Sequence, residues 1–346
     1  MPITIPATPL SRDPHDDRLR DLALARSVLD RVAHERTSPS VIEDLLRDPA
    51  TRVVELRGER LRVRAAADPA ADAAADAGVG PGDDLALHVR APIEADRAGL
   101  GLHLGRGPDG TAYLGVVSPE PAPENGASAP AGEPAEWVTL RQAGEALGAL
   151  DAGIFTTALA LANWHATHRH CPRCGAETEP TQAGWVRRCV RDGSEHYPRT
   201  DPAVIMSVID PDDRLLLGRG AHWPEGRFSV LAGFVEPGES FEAAVAREVA
   251  EEVGIRIDDA RFLGNQPWPF PSSLMVGYVA TTTETELRPD PAEIAEARWV
   301  TREEYRALLS SKVIRTPSGI SIAKRIIEYW LGSTVESVAG SSVVDR

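Results

Sequence analysis

The chain has 346 residues, 42% apolar and 26% charged, which is the composition of a folded globular protein and enough length for two or three domains. Its 37 basic and 52 acidic residues leave a net charge of −15, which excludes a general electrostatic grip on nucleic acid or an anionic membrane but not a local basic patch. No apolar run approaches the ~20 residues of a membrane span; the opening stretch MPITIPATPLSRDPHDD has neither a basic start nor an apolar core, so a cytoplasmic protein without a signal peptide is expected.

Two stretches rich in Ala, Pro, Gly and acid, 65–84 and 118–136, read as exposed loops or linkers. Between them Leu100, Leu102 and Leu104 alternate with Gly and His, and Pro108-Asp109-Gly110 marks a turn. A second strand follows through Tyr113, Leu114 and Val117, so the segment predicts a β-hairpin. The glycines of GLGLHLG have the wrong spacing for a dinucleotide-binding loop, and no helix follows them. From Leu140 the period turns helical. One stripe is Leu140, Ala143, Leu147 and Leu150; another is Ile154, Ala158, Leu161 and Trp164. Beyond Asp201 short strands alternate with helices. Strands are expected at 203–209, 214–217, 274–281 and 298–300, and helices at 240–253, 302–309 and 321–331. The pattern predicts an α+β domain with a mixed sheet between helices. Residues from Ser333 onward are expected to fray.

The three cysteines, Cys171, Cys174 and Cys189, fall within one short segment. An odd cluster of this kind argues for a metal site or a buried thiol group rather than a disulfide framework. Cys171-Pro-Arg-Cys174-Gly175 is a zinc-knuckle turn, and Cys189-Val-Arg-Asp192-Gly193 repeats it with Asp in place of the second thiolate. A tetrahedral zinc needs a fourth donor. Asp192 stands in the right place, with His196 and His170 as the other candidates. A ribbon that has lost its metal and is held by packing alone is the alternative. With three or four protein ligands, a bound zinc is structural rather than catalytic.

The sharpest feature runs from Gly233 to Ile255. On a helix starting near Ser240, Val245, Val249 and Val253 form the core stripe. Glu248, Glu251 and Glu252 cluster on a neighbouring face, where like charges repel. A divalent cation removes that repulsion, and hard carboxylate oxygens suit Mg²⁺ or Mn²⁺. Acidic helix faces are mostly solvated surface, but this one sits in a longer pattern. Gly-x5-Glu-x7-Arg-Glu-U-x-Glu-Glu-x-Gly-U, with U aliphatic, is met at Gly233, Glu239, Arg247, Glu248, Val249, Glu251, Glu252, Gly254 and Ile255. The chain therefore resembles a Nudix hydrolase. The resemblance implies that Glu248, Glu251 and Glu252 are catalytic and hold the metals. It also implies that Arg247 with Glu239 braces the loop, and that the carbonyl of Ala232 joins a metal shell.

Downstream, Gln266-Pro267-Trp268-Pro269-Phe270-Pro271-Ser272-Ser273 reads as a stiff loop with exposed rings. The bland reading is a packing loop beside the sheet. The run looks like the mark of the NADH pyrophosphatases of the NudC type within the Nudix hydrolases. By that resemblance these eight residues, with Tyr197 and Ala323, bind substrate, and Glu293 is a further metal ligand. The implied architecture is a Nudix α/β/α sandwich over 200–332. It is preceded by a β-rich domain with low-complexity loops (1–137), a helical connector (138–169) and a zinc ribbon (170–199), and followed by a tail (333–346). The implied activity is hydrolysis of NADH or NAD⁺ to AMP and NMNH or NMN, with removal of NAD caps from RNA. About two or three Mg²⁺ or Mn²⁺ ions per site, one structural zinc and a homodimer complete the expectation. The rival readings are a Nudix hydrolase of ADP-ribose or another dinucleotide, which the QPWPFP run disfavours, and a non-catalytic nucleotide sensor or RNA-binding adaptor. The latter would have lost its metal carboxylates, and none is missing.

Overall fold

The computed structural model describes residues 19, 22–66, 84–121, 135–315 and 317–335. Most of each predicted low-complexity stretch, and the tail beyond Val335, lie outside the described residues. The chain divides into two compact units. One comprises 23–200 with 267–272, and the other 1–22, 201–266 and 273–346. Among the described residues no helix is long and apolar enough to cross a membrane.

In the first unit, helix α1 (Val41–Arg47) precedes strands β1 (Arg52–Leu56), β2 (Arg60–Ala65), β3 (Leu85–Leu87), β4 (Leu100–Arg106), β5 (Ala112–Val117) and β6 (Glu136–Thr139). The predicted hairpin is β4 with β5, antiparallel from Leu100↔Val117 to Arg106↔Ala112. It shares a three-stranded sheet with β1, which pairs parallel to β5, while β3, β2 and β6 form a second such sheet. Helix α2 (Leu140–Ala143) is a single turn, and α3 (Ala149–Thr167) is long. Alpha3 is not one-sided as its stripe predicts. It buries Phe155, Leu159 and Ala162 as well as Ile154, Ala158, Leu161 and Trp164, so this helix is enclosed on several sides. Strands β7 (Thr178–Thr181), β8 (Val186–Cys189) and β9 (Glu195–His196) make the small sheet of the cysteine segment.

The second unit holds β10 (Asp201–Ile209), β11 (Leu215–Gly220), β12 (Leu231–Phe234), α4 (Phe241–Val253), β13 (Asp259–Trp268), β14 (Ser273–Thr281), β15 (Ile294–Val300), α5 (Arg302–Ser310) and α6 (Ile322–Leu331). The last two residues of β13 belong to the first unit. Its sheet runs β13-β14-β10-β11-β15, with β12 also on β10. Beta10 pairs parallel to β14 and antiparallel to β11 and β12, so the sheet is mixed. Strand alternation sends Val204, Met206 and Val208 to one face, against Val245, Val249 and Val253 of α4. Ile205, Leu215 and Leu217 go to the other face, against Ile322, Ile326 and Trp330 of α6. The result is the α/β/α sandwich expected.

Two expectations need correction. The 266–273 run is not all loop, and its rings Trp268 and Phe270 are half-buried rather than exposed: β13 extends to Trp268 and β14 begins at Ser273, leaving 269–272 between them. Pro267 falls on β13, an edge strand, which is where a sheet accepts proline. The strand expected at 298–300 begins at Ile294, and its polar residues Glu296 and Arg298 pair with Arg219 and Leu217 of β11.

Candidate functional site: a carboxylate helix and a cysteine ribbon

Ser240 caps α4, its hydroxyl accepting the Ala243 N–H at 3.2 Å, and Gly254 ends it in the left-handed conformation at φ 70°. Between these caps the valine stripe fixes the helix's rotation and turns Glu248 and Glu252 inward. Gly233 explains itself by approach: a Cβ there would lie 1.8 Å from the Glu248 carboxyl carbon. Any side chain would push that carboxylate out of place.

Arg247 organises the acids. Its Nη1 donates to Glu248 Oε1 at 2.9 Å and Glu251 Oε2 at 2.8 Å. Its Nη2 donates to Glu239 Oε1 at 2.7 Å and to the Phe234 carbonyl at 2.9 Å. Glu239 also accepts the Glu236 N–H at 2.7 Å. The guanidinium thus ties the loop after β12 to the helix and holds the Glu239 carboxyl below its usual range.

Glu252 has no such partner. It is buried, and its Oε2 makes no hydrogen bond among the described residues. Burial, then the charges of Glu248, Glu293 and Glu251, push it up to about 8. Glu248 is also raised, by burial first, against the pull of Arg247. An uncompensated buried carboxylate is costly; Glu252 feels the charges of Glu248, Glu293 and Glu251, and carboxylate oxygens are hard donors. The residues present fit a divalent cation.

The other expected positions are placed as follows. Ala232 lies on β12 in register with Ile205, and Glu293 is exposed just before β15. Gln266 is fully buried and donates to the Ile320 carbonyl at 2.8 Å, so it supports the approach to α6. Ala323 is buried in the first turn of α6, its N–H on the Ser321 hydroxyl at 3.2 Å. In the first unit Trp268 and Phe270 meet edge to face at 4.9 Å. Asn163 of α3 donates to the Pro269 carbonyl at 3.0 Å and to the Pro271 carbonyl at 3.4 Å. Tyr197 is exposed, with its hydroxyl on Glu195 at 3.1 Å. Two residues escaped the sequence reading. Phe234 is 61% exposed beside Gly233, and an aromatic next to the box was the available signal. Arg141 lies over Phe270 at 3.8 Å and Trp268 at 5.1 Å; nothing in its local sequence marks it.

The cysteine segment forms two matching turns. Gly175 donates to the Cys171 carbonyl at 2.8 Å with φ 70°, and Gly193 to the Cys189 carbonyl at 3.1 Å with φ 71°. Positive φ of this kind is what glycine accepts. The donor atoms of Cys171, Cys174, Cys189 and Asp192 all lie within 4.8 Å of one another, and neither His170 nor His196 belongs to the group. Cys174 Sγ is 3.5 Å from Cys189 Sγ, and Cys171 Sγ is 3.8 Å from Asp192 Oδ2. Sulfurs about 2.3 Å from one tetrahedral zinc would stand about 3.8 Å apart, so the set fits that ion. Ser194 occupies Asp192 Oδ1 through its hydroxyl at 2.6 Å and its N–H at 2.9 Å, leaving Oδ2 toward the thiols. These bonds hold the Asp192 carboxyl below its usual range. The Ser194 hydroxyl lies 3.5 Å from Cys171 Sγ and is first among the causes that lower that thiol, while its coupled neighbour Cys174 is raised. Both groups are thereby readied as anionic ligands.

Comparison with known proteins follows the same division. Residues 199–316 match the NUDIX domain, and residues 166–197 match the NADH pyrophosphatase zinc ribbon domain. The chain is 48% identical over 206 residues to the NAD-capped RNA hydrolase NudC of Mycobacterium bovis (strain BCG / Pasteur 1173P2), covering 57% of this chain and 66% of that one. It is 40% identical over 193 residues to the human NAD-capped RNA hydrolase NUDT12, covering 52% of this chain and 42% of that one. A crystal structure of a Nudix hydrolase from Nitrosomonas europaea aligns with a TM-score of 0.39 at 20% identity, over 48% of this chain and 94% of that one. The chain thus spans just under two thirds of its mycobacterial relatives and less than half of the human one.

Proposed function

Because the chain belongs to the Nudix family and carries an NADH pyrophosphatase zinc ribbon ahead of its Nudix domain, we propose that it hydrolyses the diphosphate bond of NADH and NAD⁺ to AMP and NMNH or NMN, and removes NAD caps from RNA. The observation that carries the reading is the buried Glu252 carboxylate on an intact box, its Oε2 without a hydrogen bond among the described residues and its pKa raised by burial and by the charges of Glu248, Glu293 and Glu251. The names of the relatives support the NAD-cap substrate. In this reading 1–137, 138–169, 170–199, 200–332 and 333–346 are the successive parts of the chain.

Glu248, Glu251, Glu252 and Glu293, with the Ala232 carbonyl, would hold Mg²⁺ or Mn²⁺. When bound, such ions neutralise the diphosphate and lower the pKa of a water. Arg247 fixes the carboxylates, so that little reorganisation accompanies the reaction. Gln266 buttresses the substrate strand from within. Trp268 and Phe270 offer the surfaces on which a base stacks. Cys171, Cys174, Cys189 and Asp192 would hold one structural zinc, whose four protein ligands leave no open position for chemistry.

The direct test measures kcat/KM with Mn²⁺ for NADH, NAD⁺, ADP-ribose and NAD-capped RNA in parallel. Preference for the NAD compounds supports the reading, and preference for ADP-ribose rejects it. Stacking on an aromatic is worth roughly 1–3 kcal/mol per base, so Phe270→Ala should raise KM for NADH by about one to two orders of magnitude. Metal dependence and melting temperature should stay near those of the parent. A folded variant with unchanged NADH kinetics would remove the ring from the site.

A homodimer in the cytoplasm belongs to the same proposal. Light scattering at micromolar concentration should give twice the 37.2 kDa chain mass, and a monomer mass rejects it.

A further inference from the structure

A net charge of −15 leaves open how this chain would hold the anionic body of a capped RNA. One place in the second unit departs from that balance. Arg219, near the end of β11, stands opposite Glu296 of β15 in the ladder. Arg298, two residues further along β15 and so on the same face, ion-pairs with Glu296 and lies over the Phe228 ring at 4.6 Å. Arg227 lies over Trp223 at 4.6 Å. Arg315 donates its N–H to the Gly226 carbonyl at 3.0 Å, beside Arg227 in a parallel bridge. Arg227 and Arg315 are exposed. Among the described residues, neither has a carboxylate within ion-pair distance. Arg219 and Arg298 thus share Glu296, while Arg227 and Arg315 have no acidic partner among the described residues.

This rim adjoins the carboxylates. Ala221, the first residue after β11, donates its N–H to the Glu293 carbonyl at 2.7 Å, and the Glu293 charge acts on Glu252. A guanidinium held over an aromatic ring, as Arg227 is over Trp223, loses little rotamer freedom when its N–H edge binds an anion. That edge matches two phosphate oxygens. Structural duty accounts for Arg219 and Arg298 through Glu296, but not for Arg227 and Arg315.

We propose that Arg219, Arg227, Arg298 and Arg315 form a track for the phosphates of single-stranded RNA just beyond an NAD cap. The inference rests on the NAD-cap reading above and extends it. NADH ends where the RNA body would begin, so it does not engage the track. The track then separates a capped RNA from the free dinucleotide by affinity, while the carboxylate site treats their diphosphates alike.

The test uses the full chain and its Arg227→Ala/Arg315→Ala variant. The probe is a fluorescent single-stranded 12-nucleotide RNA with a 5′ NAD cap. Its binding is followed by anisotropy without divalent metal, over a salt series. The variant is expected to bind about tenfold more weakly near 0.1 M salt. The slope of log K against log salt should become shallower by about 1.4, the share of two single-strand phosphates. Its kcat/KM for NADH with Mn²⁺ should stay within about twofold of the parent, which also shows that it folds. Unchanged RNA affinity and slope overturn the proposal, as does a matching loss on NADH. A parent that hydrolyses NADH but binds the RNA without salt dependence overturns the track and leaves the diphosphatase reading standing. A parent inactive on NADH and on capped RNA counts against that reading, while the metal-free binding still decides the track.

Discussion

Glu252→Gln is expected to lower kcat by about three orders of magnitude, the size of several kcal/mol of metal-assisted stabilisation, while the metal-free protein becomes more stable. Both effects come from one carboxylate. Its Oε2 is buried without a partner among the described residues, and burial with the charges of Glu248, Glu293 and Glu251 raises it to about 8. The sign follows from linkage. A carboxyl whose folded pKa lies above its unfolded value holds its proton longer in the native state, so stability falls as pH rises from about 4.5 to about 8. A divalent cation that binds the native state would reverse that loss. The parent should therefore gain melting temperature on adding Mn²⁺, more at pH 8 than at pH 6. Glu252→Gln should melt higher without metal at pH 8 and respond little to Mn²⁺. Near-parental turnover by the variant, or an undiminished Mn²⁺ shift, would contradict the metal role of Glu252.

Removing the ribbon metal is the second large effect. Protein purified without chelator should contain one zinc per chain by elemental analysis. Cys189→Ser should lose it and melt lower by on the order of 10 °C, since structural zinc supplies folding free energy outright. Two matching turns hang on four donors within 4.8 Å, and short strands β7 to β9 offer little apolar core to replace them. Asp192→Ala should weaken zinc retention without abolishing it, because three thiolates remain. If Asp192→Ala keeps zinc fully while His196→Ala loses it, His196 is the fourth ligand. Zinc-free protein with an unchanged melting curve would mean that packing holds the ribbon.

The parts of this molecule that were legible in advance are those where chemistry dictates residue identity. Glu248, Glu252 and Arg247 are fixed by charge and spacing along one helix, and Gly233 by the approach of a carboxylate. The two cysteine turns were readable because each needs a glycine at positive φ. Where tertiary context decides, the sequence was quieter. Gln266, Pro267 and Trp268 read as loop because of the prolines, yet an edge strand accepts them. Beta1 pairs in parallel with β5, so its partner lies far along the chain, and five residues of alternation carry too little signal to foretell it. Arg141 reaches Trp268 and Phe270 only through the fold. Arg227 and Arg315 likewise meet only through a backbone bridge.

Product analysis tests the central claim most directly. Purified protein is incubated with NADH and Mn²⁺, and the products are separated by chromatography. Equal amounts of AMP and NMNH, abolished by chelator and by Glu252→Gln, are the predicted result. Intact NADH under conditions where ADP-ribose is consumed, or cleavage that yields nicotinamide instead of AMP and NMNH, would contradict it.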